Sequence, residues 1–431
     1  MQTIRQYYEM LDDSQWWPAE RLVAWQRQHL QLLLNHARGS SPFYRFRLNR
    51  VFRPDGGIDW DRWHDIPILT RADVAEQFQN LLSRSPIAGH GPFQDIESSG
   101  STGHPVTVRT TRWLMDMGLA SNWRAQKWAG LDWSRPMLAT FGENARRREG
   151  DDMGSWGPPW LAGARRGRML YCHYGTPHGR RLELMREHRV AYHASSAFSG
   201  GMTAERALET RFALRLDALL ARGGAVTDRL RSVVQEAFGA KVVEFYSSKE
   251  GGAMAQRCPV GPGLHVNAES VLLEVVDDKG RPVPPGQPGR AVITPFGSTA
   301  MPLIRYDQGD IVVAGGACSC GRCLPTIEAI SGRERAAFSH PDGRKLLRDL
   351  PFEAYKLIGA SLVQVAQVGP IDFEIRYTPR NWGSRRDEGA FLEVFRALYF
   401  EDSQLRFVEM AELPVSAAGK FMSNVVDWMA P

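Results

Sequence analysis

The stretch ESSGSTGHPVTV, Glu97 to Val108, sets Gly100 and Gly103 among four hydroxyl side chains, Ser98, Ser99, Ser101 and Thr102. It is too polar for a core and denser in hydroxyls than an ordinary turn, so its backbone N–H groups and hydroxyls suit an anion. The phosphate loop of nucleotide hydrolases ends in Gly-Lys-Ser or Gly-Lys-Thr and opens a helix. Here Gly103 is followed by His104, Pro105 and the β-like run VTVRTT. The loop therefore joins two strands, QDI before it and VTVRTT after it. The cation that balances a bound phosphate must come from elsewhere in the chain.

Upstream, AERLVAWQRQHLQLLLNHARGSSPFYRFRL carries apolar residues at three- and four-residue spacings and stops at Gly-Ser-Ser-Pro, which predicts an amphipathic helix. DIPILTRADVAEQF predicts an extended piece and a helix whose first turn follows Thr70. From about Met137 to Pro177 the chain is rich in Gly, Pro, Arg and Trp and shows no clear period. ERALETRFALRLDALLARGG and DRLRSVVQEAFG then read as helices, and AKVVEFYSS as a buried strand bounded by Gly239 and Ser247. Helices alternating with strands predict an α/β core. SVLLEVVDDKGRPVPPGQPGRAVIT predicts an antiparallel hairpin around an Asp-Lys-Gly turn and a proline-rich loop. Past ISGRER the pattern shifts to a smaller α+β portion with strands LVQVAQV and DFEIRYT, a helix EGAFLEVFRALYF and the tail ELPVSAAGKFMSNVV. A boundary near Gly332 divides the chain into a large N-terminal part, 1–332, and a small C-terminal part, 333–431.

The 431 residues, 43% hydrophobic and 23% charged, have globular composition, and no uninterrupted apolar stretch reaches spanning length. The N-terminus MQTIRQYYEMLDDSQWW lacks the features of a signal peptide, so a cytoplasmic protein without a membrane partner is expected. The net charge of +5 is spread along the chain and carried almost wholly by arginine. The clusters ARRREG and GARRGR lack repeated aromatic interleaving, so no nucleic-acid partner is expected. Five cysteines without a signal peptide do not read as a disulfide framework, and three of them crowd into CSCGRC, which points to metal.

Six punctuated segments recur in one order: SSGSTGHP, ARGGA, EFYSSKEGG, PLIRYDQGD, SGR and PVSAAGK. Together they resemble the adenylate-forming superfamily, and NHARGSSPFYR and IPILTRADV resemble its phenylacetate-CoA ligase-like branch. The resemblance spans nearly the whole chain. It implies an acyl-adenylate-forming fold: a large N-terminal α/β domain with a hairpin or barrel-like subdomain, and a small mobile α+β C-terminal domain.

It also implies that a carboxylate attacks the α-phosphate of ATP while Ser99, Gly100, Ser101, Thr102 and Gly103 hold the departing phosphates. Many relatives carry lysine where this chain has His104. Tyr246 to Glu250 match the Tyr-Gly-x-Thr/Ser-Glu motif, which implies that the Tyr246 ring packs on adenine and that Glu250 binds a phosphate-bridging Mg²⁺. Ser247 and Lys249 depart from that motif. Gly224 and Ala225 match a Gly-Gly-Glu element of the adenine site, with alanine in place of glutamate. Asp310 matches the aspartate that accepts both ribose hydroxyls, and Arg333 the arginine that assists it. Lys420 matches the lysine that reaches the substrate carboxylate and α-phosphate, which supplies the missing cation.

Cys258-x6-His265 and Cys318-x-Cys320-x2-Cys323 form two knuckles of a type that suits tetrahedral Zn²⁺. Similar residues in metal-bearing relatives favour Cys258, His265, Cys318 and Cys320, with Cys323 as the spare; four protein ligands make the metal structural. Cys172 reads as a small buried hydrophobe.

The branch implies an aryl or arylacetic acid as substrate and CoA as acceptor. Ala336 stands where an acidic hinge residue is expected, so an amine or a carrier protein remains an alternative acceptor. A zinc-containing binding protein that has lost catalysis is a second alternative. A homodimer is compatible with the sequence and is not read from it.

Overall fold

The computed structural model describes residues 3–85, 87–97, 106–141, 147–160, 166–333, 337–346, 348, 350–380, 386–414 and 421–428. Five parallel strands, Met137–Phe141, Arg168–His173, Tyr192–Ser196, Ala218–Arg222 and Lys241–Ser248, form the α/β part. The last of these also pairs antiparallel with Gly252–Arg257. Through that shared strand the parallel part and an antiparallel part fuse into one sheet, twelve strands among the described residues. The antiparallel part contains Leu264–Val266, Val271–Val276, Pro288–Pro295, Tyr306–Ala314 and Thr326–Arg333.

The parallel strands are short apolar runs because both faces are covered. Leu219, Ala221 and Val242 face the helices His178–Glu187, Ala197–Glu209 and Asp228–Phe238. Leu220, Val243 and Phe245 pack on the opposite side with Ala125, Trp156 and Tyr192. Asp228–Phe238 is bounded as the sequence dictates: Thr227 caps its N-terminus, and Gly239 takes the left-handed conformation (φ 65°) at its end.

Several expectations hold. The helix Ala19–Ser40 ends at the Gly-Ser-Ser-Pro turn, and Arg71–Glu76 starts from a reciprocal cap between Thr70 and Asp73. Val271–Val276 pairs with Pro288–Pro295, closed by Gly280 N–H donating to Asp277 C=O at 3.0 Å. One expectation fails. ERALETRFALRLDALLARGG is not one helix: the helix is Ala197–Glu209, and Ala218–Arg222 is a strand. ALLAR is fully apolar up to its last residue, so its period is ambiguous, and its place between two parallel neighbours decides the outcome. The aperiodic segment after Met137 contains two of the parallel strands for the same reason.

Residues after 337 build a separate aromatic core, with Phe338, Phe373, Phe391, Phe395 and Tyr399 against Val363 and Ile375. Its sheet runs Gln404–Glu409, Asp372–Pro379, Ala360–Gln367, Asn424–Val426. This part touches the larger one where Phe421 stacks on Phe198 (4.7 Å), Arg229 lies 4.7 Å from the Tyr355 ring, and Arg380 approaches Glu205 at 3.9 Å.

A buried ion pair ties the N-terminal helices to the antiparallel sheet. Arg124 and Glu269 are both sealed from solvent, with Nη1 and Oε1 2.6 Å apart. Arg124 also donates to the Asn267 side chain and to Leu11 C=O, each at 2.8 Å, and Ser14 Oγ donates to Glu269 at 2.6 Å. Removing one partner strands a buried charge. Glu269→Ala is expected to lower the unfolding free energy by about 3–5 kcal/mol in urea titration.

A second polar group lies under the parallel sheet. His193 is fully buried beside Thr140, and burial depresses its pKa to about 3. Below about pH 6.5 the unfolded chain takes up a proton at this ring that the folded chain refuses. Stability is therefore expected to fall with decreasing pH from about 6.5 toward the folded pKa, by about 1.4 kcal/mol per pH unit for this group. His193→Gln should flatten that part of a stability-against-pH curve.

Candidate functional site

Three segments converge at the edge where the parallel strands end. The turn Lys249-Glu250 connects Lys241–Ser248 to Gly252–Arg257. Glu250 is buried, and its Oε1 lies 3.4 Å from Nη1 of Arg71, in the first turn of the helix after Thr70. Lys249 Nζ donates to Glu97 C=O at 2.7 Å, joining this turn to the strand that enters the hydroxyl-rich loop. That strand, Phe93–Glu97, pairs antiparallel with Thr107–Thr111, so the loop does join two strands. Ser99, Gly100, Ser101, Thr102 and Gly103 themselves lie outside the described residues, as do Lys420 and Ala336.

Tyr246 precedes the turn on the same strand and is buried, with its hydroxyl donating to Asp310 Oδ2 at 2.8 Å. Gln308 Nε2 donates to the Tyr246 oxygen at 3.2 Å. Asp310 stands on Tyr306–Ala314, directly across the ladder from the backbone of Arg333. Gly309 takes φ 74° just before it, a conformation that favours glycine. The two residues matched to the ribose pair are thus cross-strand neighbours, and the aromatic residue matched to adenine touches one of them. Gly224 and Ala225 sit in the loop that leaves Ala218–Arg222, the strand paired to Lys241–Ser248. A Cβ on Gly224 would meet only Ala197 Cβ, at 3.5 Å, so no close approach requires glycine there.

The sequence reading missed Arg71 and Gln308. Arg71 is one more arginine in an arginine-rich chain, and only its reach to Glu250 distinguishes it. Gln308 lay inside the quoted RYDQGD, yet an uncharged side chain carried no signal until its contact with Tyr246 was seen.

Away from this edge, Cys258, His265, Cys318 and Cys320 offer four ligand atoms, all within 4.8 Å of one another. Cys258 and Cys318 Sγ are 3.6 Å apart, and His265 Nε2 is 3.2 Å from Cys320 Sγ. These spacings suit tetrahedral bonds of about 2.3 Å to sulfur and about 2.0 Å to nitrogen. His265 Nδ1 contacts Leu324 C=O at 3.0 Å and donates to it, which leaves the Nε2 lone pair facing the sulfurs. Burial lowers the His265 pKa and favours this neutral ring. The N–H groups of Val260 and Gly261 point at Cys258 Sγ, 3.4 and 3.2 Å away, as donors to a thiolate do. Cys323 stands apart and donates to Ser14 C=O at 3.3 Å. Cys172 is fully buried in the apolar core, as expected.

No family model matches the chain. It is 27% identical over 326 residues to a phenylacetate-coenzyme A ligase of Thermus thermophilus, covering 73% of this chain and 71% of that one. Among solved structures it superposes on a 2-hydroxyisobutyryl-CoA ligase in the postadenylation state with an acyl-AMP, with TM-score 0.71, 21% identity, and 96% and 92% of the two chains covered. An anthranilate CoA ligase in complex with anthranoyl-AMP gives TM-score 0.52 at 15% identity, over 76% and 65%. The fold is that of these CoA ligase structures. The likeness to a phenylacetate-coenzyme A ligase agrees with the resemblance carried by the chain's own motifs.

Proposed function

We propose that this protein activates a carboxylic acid with ATP and transfers the acyl group to CoA. A carboxylate oxygen attacks the α-phosphorus of ATP, forming a P–O bond as the bond to the β-phosphate oxygen breaks and pyrophosphate leaves. A thiolate then attacks the acyl carbonyl, forming the C–S bond, and AMP departs. The observation that carries this reading is the Tyr246, Asp310 and Gln308 cluster near the C-terminal end of the strand Lys241–Ser248, with buried Glu250 in the turn just beyond that same end. One part suits a nucleoside and the other a phosphate-bound cation.

Asp310 offers paired oxygens to the ribose hydroxyls, with Arg333 across the ladder, while the Tyr246 ring supports the base. Glu250 holds Mg²⁺, which supplies charge neutralisation at the phosphates. In the state described here Arg71 faces that carboxylate and so keeps it compensated. The Ser99–Gly103 loop hangs from the ribbon that Lys249 fastens beside Glu250, which supports its assignment to the departing phosphates. Phe421 stacks on Phe198, and Phe198 follows Ser196 at the end of a parallel strand, which supports delivery of Lys420, the preceding residue, from the small C-terminal domain. The likeness to a phenylacetate-CoA ligase supports an aryl or arylacetic acid. Among the described residues no helix is long and apolar enough to cross a membrane.

The four-residue cysteine and histidine cluster holds one structural Zn²⁺. Its loop clasps the N-terminal helix: Cys323 N–H donates to Gln15 C=O at 3.0 Å, and Arg322 Nε to the Gln15 side chain at 2.8 Å.

Pyrophosphate release from ATP and Mg²⁺ across aryl, arylacetic, fatty and amino acids tests the function. Acid-dependent release is expected, lowered about a hundredfold or more in Lys420→Ala. Release independent of added acid, or unaffected by the substitution, would refute it. The purified protein is expected to carry one zinc per chain by elemental analysis. Cys258→Ser should lose the metal and unfold at lower temperature, whereas Cys323→Ser should retain it.

A further inference from the structure

The described residues contain several arginines removed from solvent, and nearly all have their partners. Arg124 pairs with Glu269, Arg305 reaches Glu274 and three backbone carbonyls, and Arg181 donates to Ser199 and to Tyr174 C=O. Arg222, only partly buried, differs from them. It ends the strand Ala218–Arg222, its Nε is buried without a hydrogen-bond acceptor, and no carboxylate among the described residues pairs with it. Its guanidinium lies over the Phe245 ring, 4.9 Å from the centroid.

The position of this cation is informative. Ser196 and Arg222 are cross-strand partners, as are Phe141 and His173, so the four share the C-terminal edge of the parallel sheet. Alternation puts Arg222 on the face of Leu220, toward Phe245 and away from the helices that cover Leu219 and Ala221. On the same face Phe141 and Tyr171 stack with rings 6.1 Å apart and nearly parallel. The strands Met137–Phe141 and Tyr192–Ser196 are adjacent, and the chain winds outward from them in both directions. Open α/β sheets bind ligands outside the carboxyl ends of their strands at such a switch point. Arg222 also immediately precedes Gly223 and Gly224, so it stands on the sheet side of the proposed nucleotide contacts.

We infer that Arg222 is a specificity-determining residue that receives a second carboxylate on the acid substrate, at the end remote from the carboxylate that is activated. The substrate class is then an aromatic dicarboxylic acid: the ring lies against the Phe141, Tyr171 and Phe245 side, and the distal carboxylate takes the free donors of Arg222. A planar guanidinium with unused N–H groups matches a carboxylate in bidentate geometry, and a partly buried cation with a buried, unpaired Nε gains more from an arriving anion than a solvated arginine does. This inference rests on the adenylation reading for the position of the reacting carboxylate.

The test compares pyrophosphate release by wild type, Arg222→Met and Arg222→Lys, using phenylacetate against 4-carboxyphenylacetate and benzoate against terephthalate. Wild type is expected to favour each diacid by about tenfold or more in kcat/KM, because unpaired polar groups in a site penalise the analogue that lacks their partner. Arg222→Met should invert the preference, and Arg222→Lys should keep its direction. A wild type that prefers the monoacids, or an Arg222→Met variant that loses all acids equally, would overturn it. Calorimetric titration with 4-carboxyphenylacetate in the absence of ATP reads the contact separately. Arg222-dependent binding without pyrophosphate release would sink the adenylation reading alone. Binding that ignores the substitution, or no binding, would sink this inference alone if monoacids still release pyrophosphate.

Discussion

The buried pair of Arg124 and Glu269 is the constraint on which the large N-terminal part depends. A guanidinium and a carboxylate sealed from water stay charged only if every donor and acceptor is used, and here they are shared among four segments. Leu11 C=O and Ser14 Oγ come from the first helix, Arg124 from the helix Arg112–Trp128, and Asn267 and Glu269 from the loop between two antiparallel strands. The second helix joins through Trp25 Nε1, which donates to Glu269 C=O at 3.0 Å. The cysteine-rich loop then grips the end of the first helix through Gln15. The first two helices, the helix Arg112–Trp128 and the Asn267–Glu269 loop are distant from one another in sequence, so the pair fixes the relative placement of these three parts.

That placement matters because the candidate site is assembled from loops and strand ends that local preference does not orient. Lys241–Ser248 is the axis. It belongs to the parallel strands on one side and the antiparallel strands on the other, so its end carries Tyr246 to Asp310 and Glu250 to Arg71. On the parallel side, the same strand sets Phe245 beneath Arg222. The Asp310 contact and the Arg222 contact therefore diverge from adjacent residues of one strand, Tyr246 and Phe245, which point to opposite faces because side chains alternate. On the proposed function, successive residues of this one strand would serve the nucleotide and the acid.

Much of the site was legible in the sequence. Asp310, Tyr246 and Glu250 were named from motif order and the cysteine and histidine residues from their spacing and a resemblance; Tyr246 lies in contact with Asp310, and Cys258, His265, Cys318 and Cys320 lie together. Motif order works because these residues sit at turns and strand ends, where glycine, proline and charge punctuate the chain. Arg71, Gln308 and Arg222 were not legible. Their types are common here, and what marks each is a neighbour distant in the chain or, for Arg222, the lack of a carboxylate partner among the described residues. The strand ALLAR was misread because an apolar run of that length has no period of its own.

The sequence by itself determined the capped helices, the hairpin and its turn, the absence of a phosphate-hydrolase loop, and the residue types of a nucleotide and metal chemistry. These follow from local rules: a side chain that caps a helix or a glycine that permits a turn acts within a few residues. The tertiary structure alone settled that ALLAR is a strand, that Cys323 stands outside the cysteine and histidine cluster, and that Arg222 has no carboxylate partner among the described residues. Those are properties of burial and of partners far apart in the chain, and they exist only once the sheet has closed around them.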